Sequence, residues 1–340
     1  MKRTGQLWNQ ICTFDNALDA YFRARKGKRF RYEVLQFEKN REDNLLRIVK
    51  ELKTLSYEAG NYKTFRIYEP KERVIMALPF KDRVVQHMIC NYIEPVYEKR
   101  FYEHSYACRN GKGMHAASET LQRWIYNQEV VKGKKVYALK CDIHHYFQSV
   151  DHKILKRENR RYFKDKELLM ILDHIIDHNG TFPDGVGIPV GNLTSQLFAN
   201  VYLNVLDEFI KYELHCKFYI RYMDDFVILS DDPAELRGVL EKIETFLWDR
   251  LKLTLNPKTT IVSAKNGVDF VGYRHYSQTK KVRKVAMRRM NKLFKKYKAG
   301  KISKRDFMQS FESRTANMEH ADTYHLVRRY VEEAERLLAA

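Results

Sequence analysis

The chain has 340 residues, 44% of them hydrophobic, and a formal net charge of +19 at neutral pH. This length and hydrophobic content predict a folded protein with a large core in two or three subdomains, and they exclude a disordered chain. The strong positive charge indicates a polyanionic partner, such as a nucleic acid.

Cysteine usage and hydropathy narrow the class of protein further. The five cysteines are odd in number and widely spaced, and no CxxC pair occurs, so neither a zinc site nor a disulfide framework is indicated. Reduced thiols in a cytosol are the simpler interpretation. No window is apolar enough to span a bilayer, and the N-terminus lacks the apolar core of a signal peptide. We therefore expect a cytoplasmic protein with no membrane partner.

The first part of the chain combines helices with one hairpin. Residues 1–60 have a mostly helical pattern. Residues 62–83 alternate basic and apolar side chains, as a two-stranded hairpin would. Residues 84–93 are again helical in pattern, and Pro95 is predicted to end that helix.

A strand and a long helix follow. Residues 136–141 form an apolar strand pattern that ends at Asp142. Residues 195–213 carry apolar pairs every four residues, which predicts a long buried helix. Gly191 precedes this helix, where the absence of a side chain allows the backbone to approach a ligand closely.

Residues 217–230, KFYIRYMDDFVILS, predict a tight hairpin with Asp224 and Asp225 at its tip. Adjacent carboxylates repel each other, and a hard divalent cation such as Mg²⁺ relieves that repulsion. An ordinary acidic turn is the alternative, because Asp is common in turns. If the strand ending at Asp142 lies beside the hairpin, three carboxylates converge, and they suit two metal ions in a phosphoryl displacement.

The last part of the chain is basic. Asn266 and Gly267 predict a two-residue turn that joins a strand at 260–264 to a strand at 268–273. Residues 274–314 hold 15 Lys or Arg and two Asp or Glu, interleaved with apolar residues. This pattern favours a folded nucleic-acid-binding surface over a disordered tail, and we expect Arg288 and Lys292 to contact phosphates.

Three segments in this order resemble the motifs of reverse transcriptases. They are ALKCDIHHYFQSVDH at 138–152, GVGIPVGNLTSQLFANVYLN at 185–204 and RYMDDFVIL at 221–229. Most relatives carry Pro-Gln-Gly in the second motif and end it with Ser-Pro. Val190 stands in the Gln position here, and Ser195 is followed by Gln196. Both departures are similar to reverse transcriptases of diversity-generating retroelements.

The resemblance implies an α+β right-hand polymerase that makes DNA on an RNA template. Residues 1–135 would form an N-terminal extension and fingers. Residues 136–277 would form a palm with an antiparallel sheet, with a fingers motif at 185–204. Residues 278–340 would form a helical thumb, with no ribonuclease H, endonuclease or maturase domain after it. The implied partners are template RNA, the cDNA or primer, dNTPs and a small basic accessory protein.

The resemblance also assigns the metal ligands. Two Mg²⁺ ions, with Mn²⁺ as a substitute, would be held mainly by Asp142 and Asp224. Asp225 would support them, and the Ile143 carbonyl would help.

For the incoming nucleotide, the resemblance implies phosphate contacts from basic residues: Arg66, Arg73 and Lys258. Lys71 competes for this role, and a cross-strand ion pair with Glu69 or Glu72 is the alternative use of the hairpin's cations.

Two other residues would lie near the nucleotide. Phe147 would lie under its sugar and exclude a 2′-hydroxyl, or else be an ordinary core aromatic. Val190 cannot supply the hydrogen bond of a Gln, so it would either lower fidelity opposite template adenine or merely pack beneath the fingers.

Residues 270–273 resemble the primer grip, with Phe270, Gly272 and Tyr273 at the primer, although ordinary sheet core is the alternative. Two other functions stay open. One is a retron or group II intron-like reverse transcriptase, against which the Ser195-Gln196 ending and the expected lack of a maturase tail both argue. The other is a nucleic-acid-binding protein with an inactive polymerase fold, against which the complete set of three aspartates argues.

Overall fold

The computed structural model describes residues 2–68 and 73–339, except for the side chain of Arg73. Lys71, Glu69 and Glu72, which bear on the role of the first hairpin, lie outside the described residues. The strands are β1 (Lys63–Ile67), β2 (Arg73–Ala77), β3 (Tyr137–Asp142), β4 (Phe218–Tyr222), β5 (Asp225–Ser230), β6 (Thr260–Ser263), β7 (Val268–Phe270), β8 (Tyr273–His275) and β9 (Lys280–Val282).

Helices account for most of the remaining described residues. They are α1 (Trp8–Ile11), α2 (Phe14–Arg25), α3 (Tyr32–Lys39), α4 (Arg41–Lys53), α5 (Phe80–Glu98), α6 (Met114–Tyr126), α7 (Tyr146–Ser149), α8 (His152–Tyr162), α9 (Lys166–Asp177), α10 (Leu193–Glu208), α11 (Pro233–Leu251), α12 (Lys284–Lys298), α13 (Lys304–Met318) and α14 (Tyr324–Ala339). Short π-helical turns extend α6 and α10. No helix in the described ranges is long and apolar enough to cross a membrane.

The chain divides into two compact units that alternate along the sequence. The first unit comprises Met1–Glu103, Ile143–Glu213 and Ile243–Leu255. The second comprises His104–Asp142, Leu214–Lys242 and Asn256–Ala340. Each unit is therefore assembled from segments that are distant in sequence.

The first unit is helical apart from the hairpin β1–β2. This hairpin is antiparallel, with Arg66 opposite Val74, as the alternating pattern predicts. The amide of Met76 on β2 donates to the Val190 carbonyl at 3.3 Å, which ties the hairpin to the segment that precedes α10. Residues on every side of α10 are buried, as expected for a helix without a polar face.

The prediction that Pro95 ends its helix is wrong, because α5 continues through this residue to Glu98. A proline inside a helix removes one backbone hydrogen bond and costs about 3 kcal/mol. Tyr97 lies beyond the proline, is fully buried, and donates its hydroxyl hydrogen to Asn159 Oδ1 at 2.7 Å. Burial of this final turn offsets the local cost.

The second unit is built on a four-stranded antiparallel sheet in the order β4-β5-β3-β6. One face of its central strands packs on α6 through an apolar cluster that includes Ala138, Val227 and Phe270. A second sheet has the order β7-β8-β9 and leads into the helices α12, α13 and α14.

The predicted turn at Asn266 and Gly267 is also wrong. Residues 264–266 form a 3₁₀ turn, after which β7 pairs with β8, whereas β6 pairs with β3. The two-residue turn of the hairpin β7–β8 is at Val271 and Gly272, which both have positive φ, at 40° and 90°. β6 pairs with β3 and not with β7, because it covers an edge of β3 that would otherwise be unpaired.

The three C-terminal helices have a core of packed aromatic rings. The ring of Phe294 on α12 lies 5.3 Å from Phe307, 5.9 Å from Phe311 and 6.0 Å from Tyr330, measured between centroids. These rings anchor α12 to α13 and α14, so the basic helix is folded rather than an extended tail.

Replacing Phe294 by Ala should lower the free energy of unfolding by about 3–5 kcal/mol, because it removes the ring at the centre of this core. Urea unfolding monitored by circular dichroism measures the change. Val285→Ala on the same helix is the control, since Val285 is exposed. Equal destabilisation by the two changes would contradict the packing described here.

Candidate active site

Strand pairing brings Asp142 and Asp225 together. They are register partners at the ends of the antiparallel pair β3–β5. Tyr222 pairs with Asp225 in the hairpin β4–β5, which leaves Met223 and Asp224 as the two turn residues. The charges of Asp142 and Asp224 both act on Asp225. The predicted convergence of an acidic strand end with an acidic hairpin tip is therefore present.

A buried arginine supports the turn. Met223 has a left-handed backbone with φ of 58°, which is uncommon for a residue with a side chain. Arg221 is fully buried, and its Nη1 donates to the Met223 carbonyl at 2.9 Å. The Arg221 backbone is itself held by hydrogen bonds to His104 and Tyr106. This contact fixes the turn that presents Asp224.

Asp142 is held by a residue that the sequence analysis overlooked. Asn256 Nδ2 donates to Asp142 Oδ2 at 3.1 Å, and the Asn256 amide donates to the Asp142 carbonyl at 2.7 Å. The Asn256 side-chain oxygen in turn accepts from the amide of Lys258, whose side chain is exposed. The Asn-Pro-Lys sequence at 256–258 is the available signal, although only Lys258 was predicted to have a role there.

Asp225 lies in an electrostatically unfavourable position. Burial raises the pKa of its carboxyl to about 7, and the charges of Asp142 and Asp224 act in the same direction against that of Lys140. Lys140 Nζ is 3.8 Å from Asp225 Oδ2, while the other oxygen, Oδ1, is buried without a hydrogen-bond partner. A carboxylate in this environment gains from a nearby cation.

The chemistry of these donors fits a hard divalent cation. Mg²⁺ takes oxygen ligands, and one buried carboxylate oxygen here lacks any partner. Across residues 2–68 and 73–339, the side chains of His, Cys, Asp and Glu do not form a group of three positioned to enclose an ion. Ile143, whose carbonyl is the predicted additional ligand, is buried and forms a bridge with Leu255.

The predicted nucleotide-binding residues of the first unit lie on three segments. Arg66 is exposed on β1, and Arg73 begins β2. Phe147 is partly buried on the short helix α7, and its carbonyl accepts from Ile188. Val190, also partly buried, is bonded through its backbone to β2.

Gly191 is required by its surroundings. Its φ is 116°, and a Cβ there would lie 3.1 Å from the Ile75 side chain. The backbone at Gly191 thus comes close to β2, and its predicted approach to a nucleotide stays a prediction.

The predicted primer-contacting residues of the second unit lie on the β7–β8 hairpin and on α12. Phe270 and Tyr273 flank the turn and are buried, whereas Gly272 forms it. Tyr273 donates its hydroxyl hydrogen to the Asn317 carbonyl at 2.7 Å, which joins the hairpin to α13. Arg288 and Lys292 are one turn apart and exposed on α12, as a phosphate-contacting surface requires.

The raised pKa of Asp225 gives a testable pH dependence. A carboxyl whose pKa is higher in the folded than in the unfolded chain loses its stabilising contribution as pH rises from about 4 to the folded-state pKa. Asp225→Asn should therefore raise the free energy of unfolding of the protein in EDTA by roughly 1–3 kcal/mol near pH 8, since it removes a carboxylate whose buried Oδ1 has no hydrogen-bond partner. The gain should shrink toward zero as pH falls to about 4.

Urea unfolding across this pH range measures the effect, and Asp231→Asn is the control. The hydrogen bond and charge of Lys134 lower the pKa of Asp231, so removing this carboxylate should change stability in the opposite direction near pH 8. A gain for Asp225→Asn that is the same at every pH would contradict the electrostatic explanation.

This chain is similar to known proteins over most of its length. The family described as "Reverse transcriptase (RNA-dependent DNA polymerase)" matches residues 66–275, which contain β3, the β4–β5 hairpin and the β7–β8 hairpin. Protein YkfC of Escherichia coli K12 is 26% identical over 279 residues, covering 67% of this chain and 72% of YkfC. Group II intron-encoded protein LtrA of Lactococcus lactis is 21% identical over 328 residues, covering 74% of this chain and 53% of LtrA.

Among solved structures, telomerase from Candida albicans, in complex with a fragment of telomeric RNA, aligns with a TM-score of 0.50 at 11% identity. The alignment covers 83% of this chain and 60% of the telomerase chain. This likeness confirms the predicted fold class, an α+β polymerase fold with antiparallel sheets. The chain spans about half of LtrA. Since the family match extends over more than half of the chain, this protein belongs to the reverse transcriptase family.

Proposed function

We propose that this protein is an RNA-directed DNA polymerase of the diversity-generating retroelement type, and that its DNA synthesis is error-prone. The observation that carries the polymerase activity is the pairing of Asp142 with Asp225 beside the turn that presents Asp224. Two aspartates on paired strands and a third in the adjoining turn offer the acidic patch that metal-assisted phosphoryl transfer requires.

Asp142 and Asp224 are the proposed main ligands of two Mg²⁺ ions, with Mn²⁺ as a substitute. Asp225 supports them, and the Ile143 carbonyl is a further ligand. When bound, the ions supply positive charge that stabilises the transferring phosphoryl group. Asn256 keeps the Asp142 carboxylate oriented through its hydrogen bond to Oδ2, and Arg221 keeps the turn in its left-handed conformation.

The remaining predicted residues are proposed to bind the substrates. Basic and aromatic side chains would contact the dNTP: Arg66, Arg73, Lys258 and Phe147. The hairpin at Phe270, Gly272 and Tyr273 would hold the primer, and Arg288 and Lys292 would contact phosphates of the duplex. An RNA–DNA hybrid is A-like, so contacts with its backbone and minor groove are expected rather than base readout.

The proposed domains are those of a right-hand polymerase. Residues 1–135 would serve as the N-terminal extension and fingers, 136–277 as the palm and 278–340 as the thumb. The template is proposed to be a retroelement RNA, and a small basic accessory protein the protein partner. Val190 in place of the usual Gln, with Ser195-Gln196 after it, supports the diversity-generating type.

A second candidate function is that of a group II intron-like reverse transcriptase. The similarity to LtrA over 74% of this chain favours it. The two candidates differ in expected fidelity, since only the diversity-generating type predicts frequent errors opposite template adenine. Sequencing of the cDNA therefore separates them.

Asp224→Asn should abolish primer extension on an RNA template with Mg²⁺, while duplex affinity changes less than about twofold, because the shape is kept and the ligand charge is lost. Extension is followed on gels and affinity by fluorescence anisotropy. Asp231→Asn is the matched control, since Asp231 follows the opposite end of β5 and pairs with Lys134. Extension by Asp224→Asn near the wild-type rate would refute the assignment of metal ligands.

Val190→Gln should lower misincorporation opposite template adenine, because the restored amide offers a hydrogen bond that Val cannot make. We expect a decrease of roughly tenfold, which corresponds to about 1.4 kcal/mol of discrimination. Sequencing of cDNA made by both proteins on one RNA measures it. Val74→Gln, an exposed change in the β1–β2 hairpin, is the control. Unchanged errors at comparable extension would exclude Val190 as a determinant of fidelity.

A further inference from the structure

A lysine lies beside the acidic patch on the same strand. Lys140 precedes Asp142 by two residues on β3, so both side chains are on the same face of the sheet. Lys140 Nζ is 3.8 Å from Asp225 Oδ2, and the side chain is 26% exposed. Ala138, the next residue on this face, is fully buried in the apolar cluster under α6. Lys140 is therefore at the border between the apolar core and the carboxylates.

A second cation, Arg283, lies beside the β7–β8 hairpin. Arg283 immediately precedes α12, and its Nε is 3.8 Å from Asp269 Oδ2. Burial alone would raise the pKa of Asp269, but the hydrogen bond and charge of Arg274 and the charges of Arg283 and Lys140 lower it below its usual value. The charges of Lys140 and Arg283 also act on Asp225. The two cations thus lie within electrostatic range of both carboxylates.

The geometry of these pairs leaves both cations able to take another anion. Arg274 binds Asp269 at hydrogen-bond distances of 2.7 and 3.0 Å, which is a complete bidentate pair. The contacts of Lys140 with Asp225 and of Arg283 with Asp269 are both 3.8 Å, which is beyond hydrogen-bond distance. Arg283 is also half exposed, at 49%. A closely placed phosphate would therefore gain hydrogen bonds that neither carboxylate provides.

We propose that Lys140 and Arg283 form a binding site for a phosphodiester of the primer strand near its 3′ end. This inference rests on the proposed polymerase function, which places the primer 3′-hydroxyl at Asp142 and Asp224. The Cα atoms of Lys140 and Asp142 are about 6.6 Å apart along β3, so Lys140 is within reach of a phosphodiester close to the end of a strand that ends at the aspartates.

The site also addresses an electrostatic problem. An anionic strand must approach three carboxylates that repel it, and Coulomb repulsion at short range is strong at the effective dielectric of a protein surface. The positive charges of Lys140 and Arg283 reduce this repulsion, although their contacts with Asp225 and Asp269 are too long for hydrogen bonds. Lys140 and Arg283 are positioning residues in this scheme, because they hold the primer and do not touch the reacting atoms.

The test is a binding experiment in which one negative charge is removed from the primer and one positive charge is removed from the protein. Primers that carry a single neutral methylphosphonate linkage, moved step by step from the 3′ end, are annealed to an RNA template. Fluorescence anisotropy measures their affinity in EDTA without dNTP. For the wild-type protein, one linkage near the 3′ end should weaken binding roughly tenfold near 0.1 M salt. Lys140→Met should weaken binding of the unmodified primer similarly and lower the log–log salt slope by about 1.

The decisive measurement is the affinity of Lys140→Met for the primer with the neutral linkage. If Lys140 contacts that phosphodiester, the variant should bind the modified primer almost as tightly as it binds the unmodified primer. If the losses from the variant and from the linkage are additive at every linkage, the proposal is overturned. Lys140→Arg should retain the affinity, since it keeps the charge. Lys134→Met is the matched control, because Lys134 also pairs with an aspartate in the second unit, Asp231, and should leave the affinity unchanged.

The binding measurement does not depend on catalysis. A wild-type protein that fails to extend the unmodified primer with Mg²⁺ would refute the proposed function, whatever the binding result. A wild-type protein that extends the primer but shows no sensitivity to any neutral linkage near the 3′ end would refute only the phosphodiester site.

Discussion

The register of β3 against β5 sets two carboxylates opposite each other, and this is the constraint on which the second unit depends. Like charges directly opposite across an antiparallel pair are destabilising. Apolar contacts elsewhere in the unit offset this repulsion. The strands pack on α6 through an apolar cluster, so a shift of register would expose Ala138 and Val227. Core packing thus fixes an arrangement that the charges alone would oppose.

Around the acidic patch, the supporting groups act on backbone geometry as much as on charge. Arg221 is a fully buried cation, which is costly unless its donors are used. Its hydrogen bond to the Met223 carbonyl uses one of them to hold a left-handed turn residue. Asn256 likewise contacts Asp142 through both backbone and side chain. The turn that carries Asp224 and the carboxylate of Asp142 are therefore each held by hydrogen bonds within the second unit.

The parts of this structure that could be predicted are those encoded locally. The β4–β5 hairpin and the strand end at Asp142 follow from short apolar runs that stop at carboxylates, and the basic helix α12 follows from its interleaved apolar residues. The predictions at Pro95 and at Asn266-Gly267 failed because distant contacts decide them. Tyr97 is buried and bonded to Asn159, which is distant in sequence, and β6 pairs with the edge of β3 instead of with β7. The contacts of Asn256 with Asp142 and of Lys140 with Asp225 were overlooked, since each joins residues that are distant in sequence.

Neighbouring positions in the segment before α10 are constrained in different ways, and this difference bears on Val190. Gly191 is fixed by its backbone, because its φ is 116° and a Cβ would lie 3.1 Å from Ile75. At Val190 the bond to β2 is made by the carbonyl, a group that every residue possesses. The link to the β1–β2 hairpin therefore does not depend on which side chain stands at this position. A change of side chain at position 190 can therefore alter the chemistry of the segment while the backbone bond to the hairpin is kept.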